Sequence, residues 1–374
     1  MKRIAWIVPS GVAGEDSPLH IPALSNLALE LAEKVELTVF SFSSERTLRS
    51  PNLGNATVHY LPSAWNAPMW KRAYSLVPLF LKEHHHKPFD LVHGFWALPC
   101  GFLAVALGRW LGIRSTCSFL GGETAAISDI RYGNMRTWHA RAATLWVSRR
   151  SALLHLLTQF QRSGLAAYQA DLPHHVVFPF GVDTSLFSPE TKRLSRPIRI
   201  LQVANLTEVK DQETLLRSFS HIVENIPARL RIVGPDFMGG SLQRLACELG
   251  LEDTVEFLGP LAHRSIHRHY RWAHLYLQTS LHEGQGISVL EAMASGVVVG
   301  GTRVGMLADL PSSCCVVTPP KQPKLLADAI LEIVNNTKRY EHIRKNALQW
   351  ARSHDLSFTV GKLTALYEGK SVLR

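Results

Sequence analysis

The sequence predicts an α/β chain made of two doubly wound, parallel-sheet halves, and three observations carry that expectation. Short apolar runs alternate with stretches of helical periodicity along almost the whole chain, the rhythm of parallel strands joined by crossover helices. A length of 374 residues is long for one hydrophobic core and comfortable for two. Residues 188–197 (SPETKRLSRP) are polar, bracketed by prolines and set between strand-like segments, so they read as a linker.

In the first half, residues 4–8 form a buried strand, 19–33 a helix and 35–42 a second strand. Residues 90–93, 97–111 and 115–119 repeat the pattern as strand, helix and strand, and 176–178 reads as a further strand. The second half opens with strand 198–204. Helix 211–226, strand 229–233, helix 241–249, strand 254–258, helix 265–270, strand 274–278 and helix 287–295 then alternate. A last helix near 357–368 carries Phe358, Val360, Leu363 and Tyr367 on one face and needs a groove to bury them. The expected domains are therefore 1–190, 191–353 and a terminal segment 354–374.

Composition narrows the function classes. Hydrophobic content of 46% with 19% charged residues is an ordinary globular balance, and no apolar run approaches the length of a bilayer span. The basic start followed by a short apolar stretch reads as a first strand rather than an export signal. Five cysteines without paired metal spacing argue against a disulfide framework and fit a cytoplasmic location. A net charge of +10 favours an anionic partner. Between residues 65 and 150 there are eleven Lys and Arg against four Asp and Glu. Trp65, Trp70, Lys71, Arg72, Tyr74, Leu79, Phe80 and Lys82 form an aromatic and basic segment there, suited to peripheral contact with an anionic membrane through 65–82. Helix-turn-helix, zinc-finger and RNP patterns are all missing, so nucleic acid is a poor match.

The most informative stretch is residues 280–296 (SLHEGQGISVLEAMASG). Gly284 and Gly286 let the backbone turn tightly, leaving the first amides of the following helix, those of Gly286, Ile287 and Ser288, free to point at an anion such as a diphosphate. Glu283 and Glu291 flank that turn. Ionised carboxylates only accept hydrogen bonds, which suits a ligand whose other groups are sugar hydroxyls. A nucleotide sugar has all these parts.

With its continuation through residue 310, this run resembles the donor-site signature S-x-x-E-G-F-G-x-x-x-L-E-A-M-A-x-G-x-P-V-V-A-T of the retaining family 4 glycosyltransferases of GT-B fold. Residues 203–219 (VANLTEVKDQETLLRSF), 230–235 (LRIVGP), 179–187 (PFGVDTSLF), 89–101 (FDLVHGFWALPCG) and 118–125 (SFLGGETA) add similar landmarks. The resemblance implies two Rossmann-like domains facing a central cleft, with the terminal helix crossing back onto the first. It implies a retaining transfer of a hexose from a UDP- or GDP-sugar to a hydroxyl of a glycan or lipid-linked acceptor, as in polysaccharide or glycolipid assembly. No cofactor and no metal are implied beyond that donor, and the chain lacks any Asp-x-Asp. A catalytically silent nucleotide-sugar-binding protein and a GT-B epimerase are the alternatives.

Carried over residue by residue, Glu291 matches the position that accepts ribose hydroxyls. Glu283 matches the one that faces the donor sugar and steadies an oxocarbenium-like transition state. Lys210 lies in the loop after strand 198–204, where a fixed cation neutralises the leaving diphosphate. The arginine that family members often place five residues earlier is Asn205 here, and Arg303 is a candidate substitute. Gly11 and Gly14, after the first strand, suit close approach to diphosphate or acceptor. The usual histidine of the later loop is replaced by Leu120, so His93 and His20 are alternatives, and Glu123 is a candidate contact for an acceptor hydroxyl. Met306 stands where a second glycine is common. The clusters His174/His175 and His263/His267/His269 lack fixed-spacing metal partners and read as solvated.

Overall fold

The computed structural model describes residues 1–10, 12, 21–43, 53–62, 67–172, 174–190 and 193–370. The chain divides into two compact units, one of residues 1–180 with 356–374 and the other of residues 181–355. The division falls before the expected 190/191 boundary because Val182 and Phe187 are buried in the core of the second unit, beside Tyr270 and Val289.

The first unit runs β1 (Arg3–Val8), α1 (Pro22–Leu31), β2 (Glu36–Ser43), β3 (Thr57–Pro62), α2 (Met69–His86), β4 (Leu91–Phe95), α3 (Phe102–Leu111), β5 (Arg114–Phe119), α4 (Trp138–Arg150), β6 (Leu153–Leu156), α5 (Gln159–Ala166) and β7 (His175–Val177). Its seven strands form one sheet in the order β3-β2-β1-β4-β5-β6-β7, all pairs parallel. Strands buried on both faces need apolar residues at successive positions, as IAWIV supplies in β1. On one face Ala5, Ile7, Val92 and Phe40 meet α2 and α3, and Cys117, Phe119 and Leu154 meet α3 and α4. Arg72 and Phe80 of the aromatic and basic segment are buried in this layer, whereas Trp70 and Tyr74 face out. Trp65 lies outside the described residues.

The opposite face of that sheet carries a buried polar chain. Phe178 O can only accept, so His155 Nε2–H donates to it at 2.9 Å, and neutral Nδ1 then accepts from Ser118 Oγ at 2.8 Å. Ser118 in turn accepts from His93 Nε2–H (2.8 Å), and His93 Nδ1 accepts from the Tyr367 hydroxyl (2.8 Å). Tyr367 itself accepts from Trp6 Nε1–H at 2.9 Å. Every donor and acceptor in the chain is satisfied with both histidines neutral. Burial pushes the His155 imidazole down to about 4 and that of His93 well below its ordinary range. Tyr367 belongs to α13 (Leu356–Tyr367), so the terminal helix packs with the first unit through this chain and through Leu363 and Leu366, both buried.

The second unit runs β8 (Ile198–Val203), α6 (Gln212–Val223), β9 (Ala228–Val233), α7 (Ser241–Glu248), β10 (Val255–Gly259), α8 (His263–Trp272), β11 (Leu275–Gln278), α9 (Ile287–Ala294), β12 (Val298–Thr302), α10 (Met306–Asp309), β13 (Cys315–Thr318), α11 (Pro323–Asn335) and α12 (Thr337–Ser353). Its six-stranded parallel sheet has the order β10-β9-β8-β11-β12-β13. Helices cover both faces, α6 and α11 over Ile200, Leu230 and Leu277, α8 and α9 over Leu201, Tyr276 and Val299. The strand order reverses between β8 and β11. In such sheets the loops at the carboxyl ends of the two strands flanking the reversal diverge and leave a crevice for a ligand.

Candidate functional site

Two loops meet at that reversal. One follows β8 and ends in a single tight turn at Glu208–Lys210. Asp211 then caps α6, its carboxylate accepting from Thr214 N (3.3 Å) and Thr214 Oγ1 (2.7 Å). The other follows β11. Leu281 N donates to Val209 O at 2.8 Å and Thr279 Oγ1 to Lys210 O at 3.1 Å, so the two loops are joined by one backbone–backbone and one side chain–backbone bond. Lys210 Nζ and Glu283 Oε1 consequently lie 2.6 Å apart.

Glu283 is only 8% exposed. Its Oε1 also accepts from Ser280 Oγ at 2.6 Å, and the Ser280 carbonyl accepts from Thr302 Oγ1 at 2.5 Å. A carboxylate this buried needs both the ammonium and the hydroxyl to offset its desolvation. The loop after β12 closes against it. Met306 N donates to Gln285 O at 2.7 Å, and a Cβ on Gly305 would sit 2.6 Å from Glu283 Cβ. Glycine at 305, not at 306, is what this close approach requires.

Gly286 has φ 87° and precedes the first residue of α9. Only glycine adopts that conformation freely, and a Cβ there would meet the Gln278 amide at 2.8 Å. Among the described residues no backbone carbonyl accepts from the N–H groups of Gly286, Ile287 or Ser288. Gly284 is buried at the start of the turn while Gly286, Ile287 and Ser288 are half-buried. An amide-lined, electropositive helix start therefore opens beside the Lys210–Glu283 pair.

Glu291 sits one turn further along α9 and is 5% exposed. His263 Nε2 lies 2.8 Å from its Oε1, and the Tyr270 hydroxyl donates to its Oε2 at 2.8 Å. Burial and the neighbouring Glu291 charge hold the Tyr270 phenol well above its ordinary range, so it stays a donor. The carboxylate keeps lone pairs beyond these two bonds. His263 and Tyr270 stand two helical turns apart on α8, and Phe187 packs edge-on against both rings. The helix expected at 265–270 left His263 out; its spacing to Ile266 and Tyr270 is the signal that would place it on the buried face of α8, though nothing in the sequence names Glu291 as its partner. Ser280, as the hydroxyl on Glu283, was likewise not singled out.

Other sequence candidates fall elsewhere. Asn205 is exposed after β8, and its carbonyl accepts from Gln212 Nε2 at 3.1 Å. Arg303 is exposed, with its N–H on Thr318 O at 2.9 Å. It lies beside Cys315, whose thiol burial pushes up to about 12. Neither side chain joins the Lys210–Glu283 network among the hydrogen bonds of the described residues. His93 is fully buried with both ring nitrogens engaged, by Tyr367 and Ser118, and among the described residues it does not join the Lys210–Glu283 network. Glu123 is also buried. Its carboxylate accepts from the backbone N–H groups of Gly121 (2.7 Å), Leu120 (3.1 Å) and Ala97 (3.3 Å), so it fastens its own loop. Gly11, Gly14 and His20 lie outside the described residues. His263 is a partner of Glu291 rather than a solvated residue. Among the described residues no group of three or more His, Cys, Asp or Glu is arranged to hold a metal ion.

Comparison with known proteins agrees with this architecture. Residues 23–186 match the family described as Glycosyltransferase Family 4, and residues 165–350 match Glycosyl transferases group 1. A D-inositol 3-phosphate glycosyltransferase of Corynebacterium efficiens is 26% identical over 227 residues, covering 53% of this chain and 53% of that protein. The match thus spans about half the length of that curated relative. Among solved structures, sucrose-phosphate synthase from Thermosynechococcus elongatus superposes with a TM-score of 0.81 at 17% identity, covering 99% of each chain. HepE of Anabaena, solved in complex with UDP-glucose, superposes with a TM-score of 0.75 at 18% identity, covering 99% of this chain and 100% of that one. At such identities these superpositions speak for the fold. With two parallel-sheet units of that fold and both halves of the sequence matched, the chain belongs to the family 4 glycosyltransferases of GT-B fold, the glycosyl transferases group 1.

Proposed function

We propose that this protein transfers a hexosyl group from a nucleoside diphosphate sugar, UDP- or GDP-linked, to a hydroxyl of a glycan or lipid-linked acceptor with retention at the anomeric carbon. One observation carries the reading: Lys210 and Glu283 pair at 2.6 Å at the sheet reversal, beside the amides of residues 286–288, from which no backbone carbonyl accepts among the described residues. In the transfer, the bond from the anomeric carbon to the diphosphate oxygen breaks and the leaving group takes the electron pair. Its growing negative charge falls to the Lys210 ammonium and the amides. Glu283 orients the sugar and faces the positive charge that develops on the ring. The acceptor oxygen then bonds to the anomeric carbon from the face the diphosphate leaves, and its proton passes to the departing phosphate oxygen, so no protein nucleophile is consumed. Glu291 accepts the ribose hydroxyls. The UDP-glucose bound by HepE, a protein of the same fold, supports the choice of donor class.

The test pairs calorimetry with turnover. UDP- and GDP-sugars are titrated into the protein, and nucleoside diphosphate release is followed with glycan and lipid-linked acceptors in chelator-containing buffer. Glu283→Gln is expected to bind donor nearly as the parent does while turnover falls about 10²- to 10³-fold. Undiminished transfer by that variant would remove Glu283 from the chemistry. Donor binding without hydrolysis or transfer in the parent would instead favour a silent binding protein. Inversion of the anomeric configuration in the product, read by NMR, would refute retention.

A further inference from the structure

Helices α2, α3 and α4 lie on the same face of the first sheet, since α2 shares a core with α3 and α3 shares one with α4. Their outward sides are unusual. Trp70 is 66% exposed, Tyr74 81%, Trp110 64% and Trp138 76%, and these four rings come from all three helices. The large apolar residues exposed on the second unit are only Phe237 and Leu325 among the described residues. Ordinary packing buries tryptophan, so three such rings held in water on one layer are a costly arrangement for a surface that stays wet.

Charge on the same layer is of one sign. Lys71, Lys82, Arg109, Arg141, Arg149 and Arg150 are exposed, and no salt bridge engages them among the described residues. The three helices carry a single acidic residue, Glu83, which is turned to Arg3 and His59. Lys71 Nζ stands 5.4 Å above the Trp70 ring. Along α4, Trp138, Arg141, Leu145, Trp146 and Arg149 line an open groove of about 480 Å³.

We propose that this α2–α3–α4 layer is a docking surface for the headgroup region of an anionic lipid bilayer. Indole and phenol rings have apolar bodies and polar tips that suit the boundary between headgroups and acyl chains. Lysine and arginine around them meet lipid phosphates while their stems lie along the rings. A bilayer matches rings spread over three separate helices, whereas single-stranded nucleic acid needs them aligned along one channel. The surface takes up the exposed Trp70, Lys71, Tyr74 and Lys82 of the 65–82 segment and adds two further helices. It is independent of the donor chemistry, because none of its residues belongs to the Lys210, Glu283 and Glu291 networks.

Co-sedimentation of the full chain with vesicles tests it, using phosphatidylcholine alone and equal parts phosphatidylcholine and phosphatidylglycerol. The protein is expected to pellet with the anionic vesicles, to be released by salt, and to have tryptophan fluorescence quenched by brominated acyl chains. The variant Arg141→Glu/Arg149→Glu/Arg150→Glu should weaken that binding at least about a hundredfold, at roughly fivefold for each of the three lost positive charges, before the added negative charges are counted. The variant Trp70→Ser/Trp110→Ser/Trp138→Ser should lose the quenching and bind about tenfold more weakly. All six positions face solvent, and unchanged thermal unfolding confirms that each variant folds. Failure to pellet with anionic vesicles at low salt would overturn the proposal, as would vesicle binding by both variants at the parent's strength. Equal binding of an oligonucleotide by the parent and by the tryptophan variant, with vesicle binding also unaffected in that variant, would make the face a general polyanion surface and would also overturn it.

Discussion

Lys210 and Glu283 are separated by 73 positions, and Glu291 and His263 by 28. Their proximity comes from loops that bring them together. Glu283 could be singled out in the sequence because its glycine-rich surroundings imply a turn. His263 could not, since a histidine at a helix start has many ordinary uses. Its bond to Glu291 assigns it a positioning role: it holds one carboxylate oxygen while Tyr270 holds the other. Replacing His263 with Phe keeps an aromatic ring against Phe187 but removes the bond. The expected outcome is about tenfold weaker donor binding, the scale of a lost hydrogen bond to a charged group, with little change in turnover at saturating donor. Calorimetry and kcat measured on one preparation check this. A fall in kcat at unchanged affinity would move His263 into the chemical step.

Among the elements, α13 shows how far local pattern carries. Helical spacing of Phe358, Val360, Leu363 and Tyr367 predicts the helix and an apolar face. Val360, Leu363 and Tyr367 are indeed buried, but Tyr367 is engaged through its hydroxyl, which accepts from Trp6 and donates to His93. Period alone cannot say that a buried tyrosine is half of a polar chain. Tyr367→Phe would leave the Trp6 Nε1–H and His93 Nδ1 without partners in a dry interior. A loss of about 1–3 kcal/mol of unfolding free energy is expected, read by urea denaturation at unchanged m value. Tyr74→Phe on the exposed side of α2 serves as the control and should change stability by less than about 0.5 kcal/mol. The α2 helix teaches the complementary lesson. Its aromatic and basic residues read as one amphipathic set, yet Arg72 and Phe80 are core and Trp70 and Tyr74 are surface, a division set by which side α2 turns to Phe40 and Phe89.

For the molecule as a whole, the buried histidines set an acid limit. In the unfolded chain both imidazoles take up protons below about pH 6.5, whereas His155 in the fold resists protonation down to about 4 and His93 is depressed as well. The unfolded state thus binds more protons across that window. Stability is complete above the unfolded value and falls as pH drops from about 6.5 toward 4. Burial pushes the Glu123 carboxyl up, so this group gains a proton earlier in the fold and opposes part of the loss. Urea midpoints measured stepwise over that range should decline with falling pH before ordinary carboxylates titrate. A midpoint that stays level down to pH 5 would mean that the chain of bonds from Trp6 to Phe178 reorganises to accept a charge.

By itself the sequence determined the doubly wound class of both halves and the turn at Gly284 and Gly286 flanked by Glu283 and Glu291, while the family resemblance singled out Lys210. These are local properties: alternation of apolar runs, backbone freedom at glycine and the chemistry of single side chains. Only the tertiary structure decided that Lys210 pairs with Glu283, that His263 and Tyr270 hold Glu291, that His93 and Glu123 are buried and hydrogen-bonded, and that three helices turn their tryptophans to solvent. Each of those outcomes depends on which side chains meet across strands distant in sequence, and strand order, not local pattern, makes that choice.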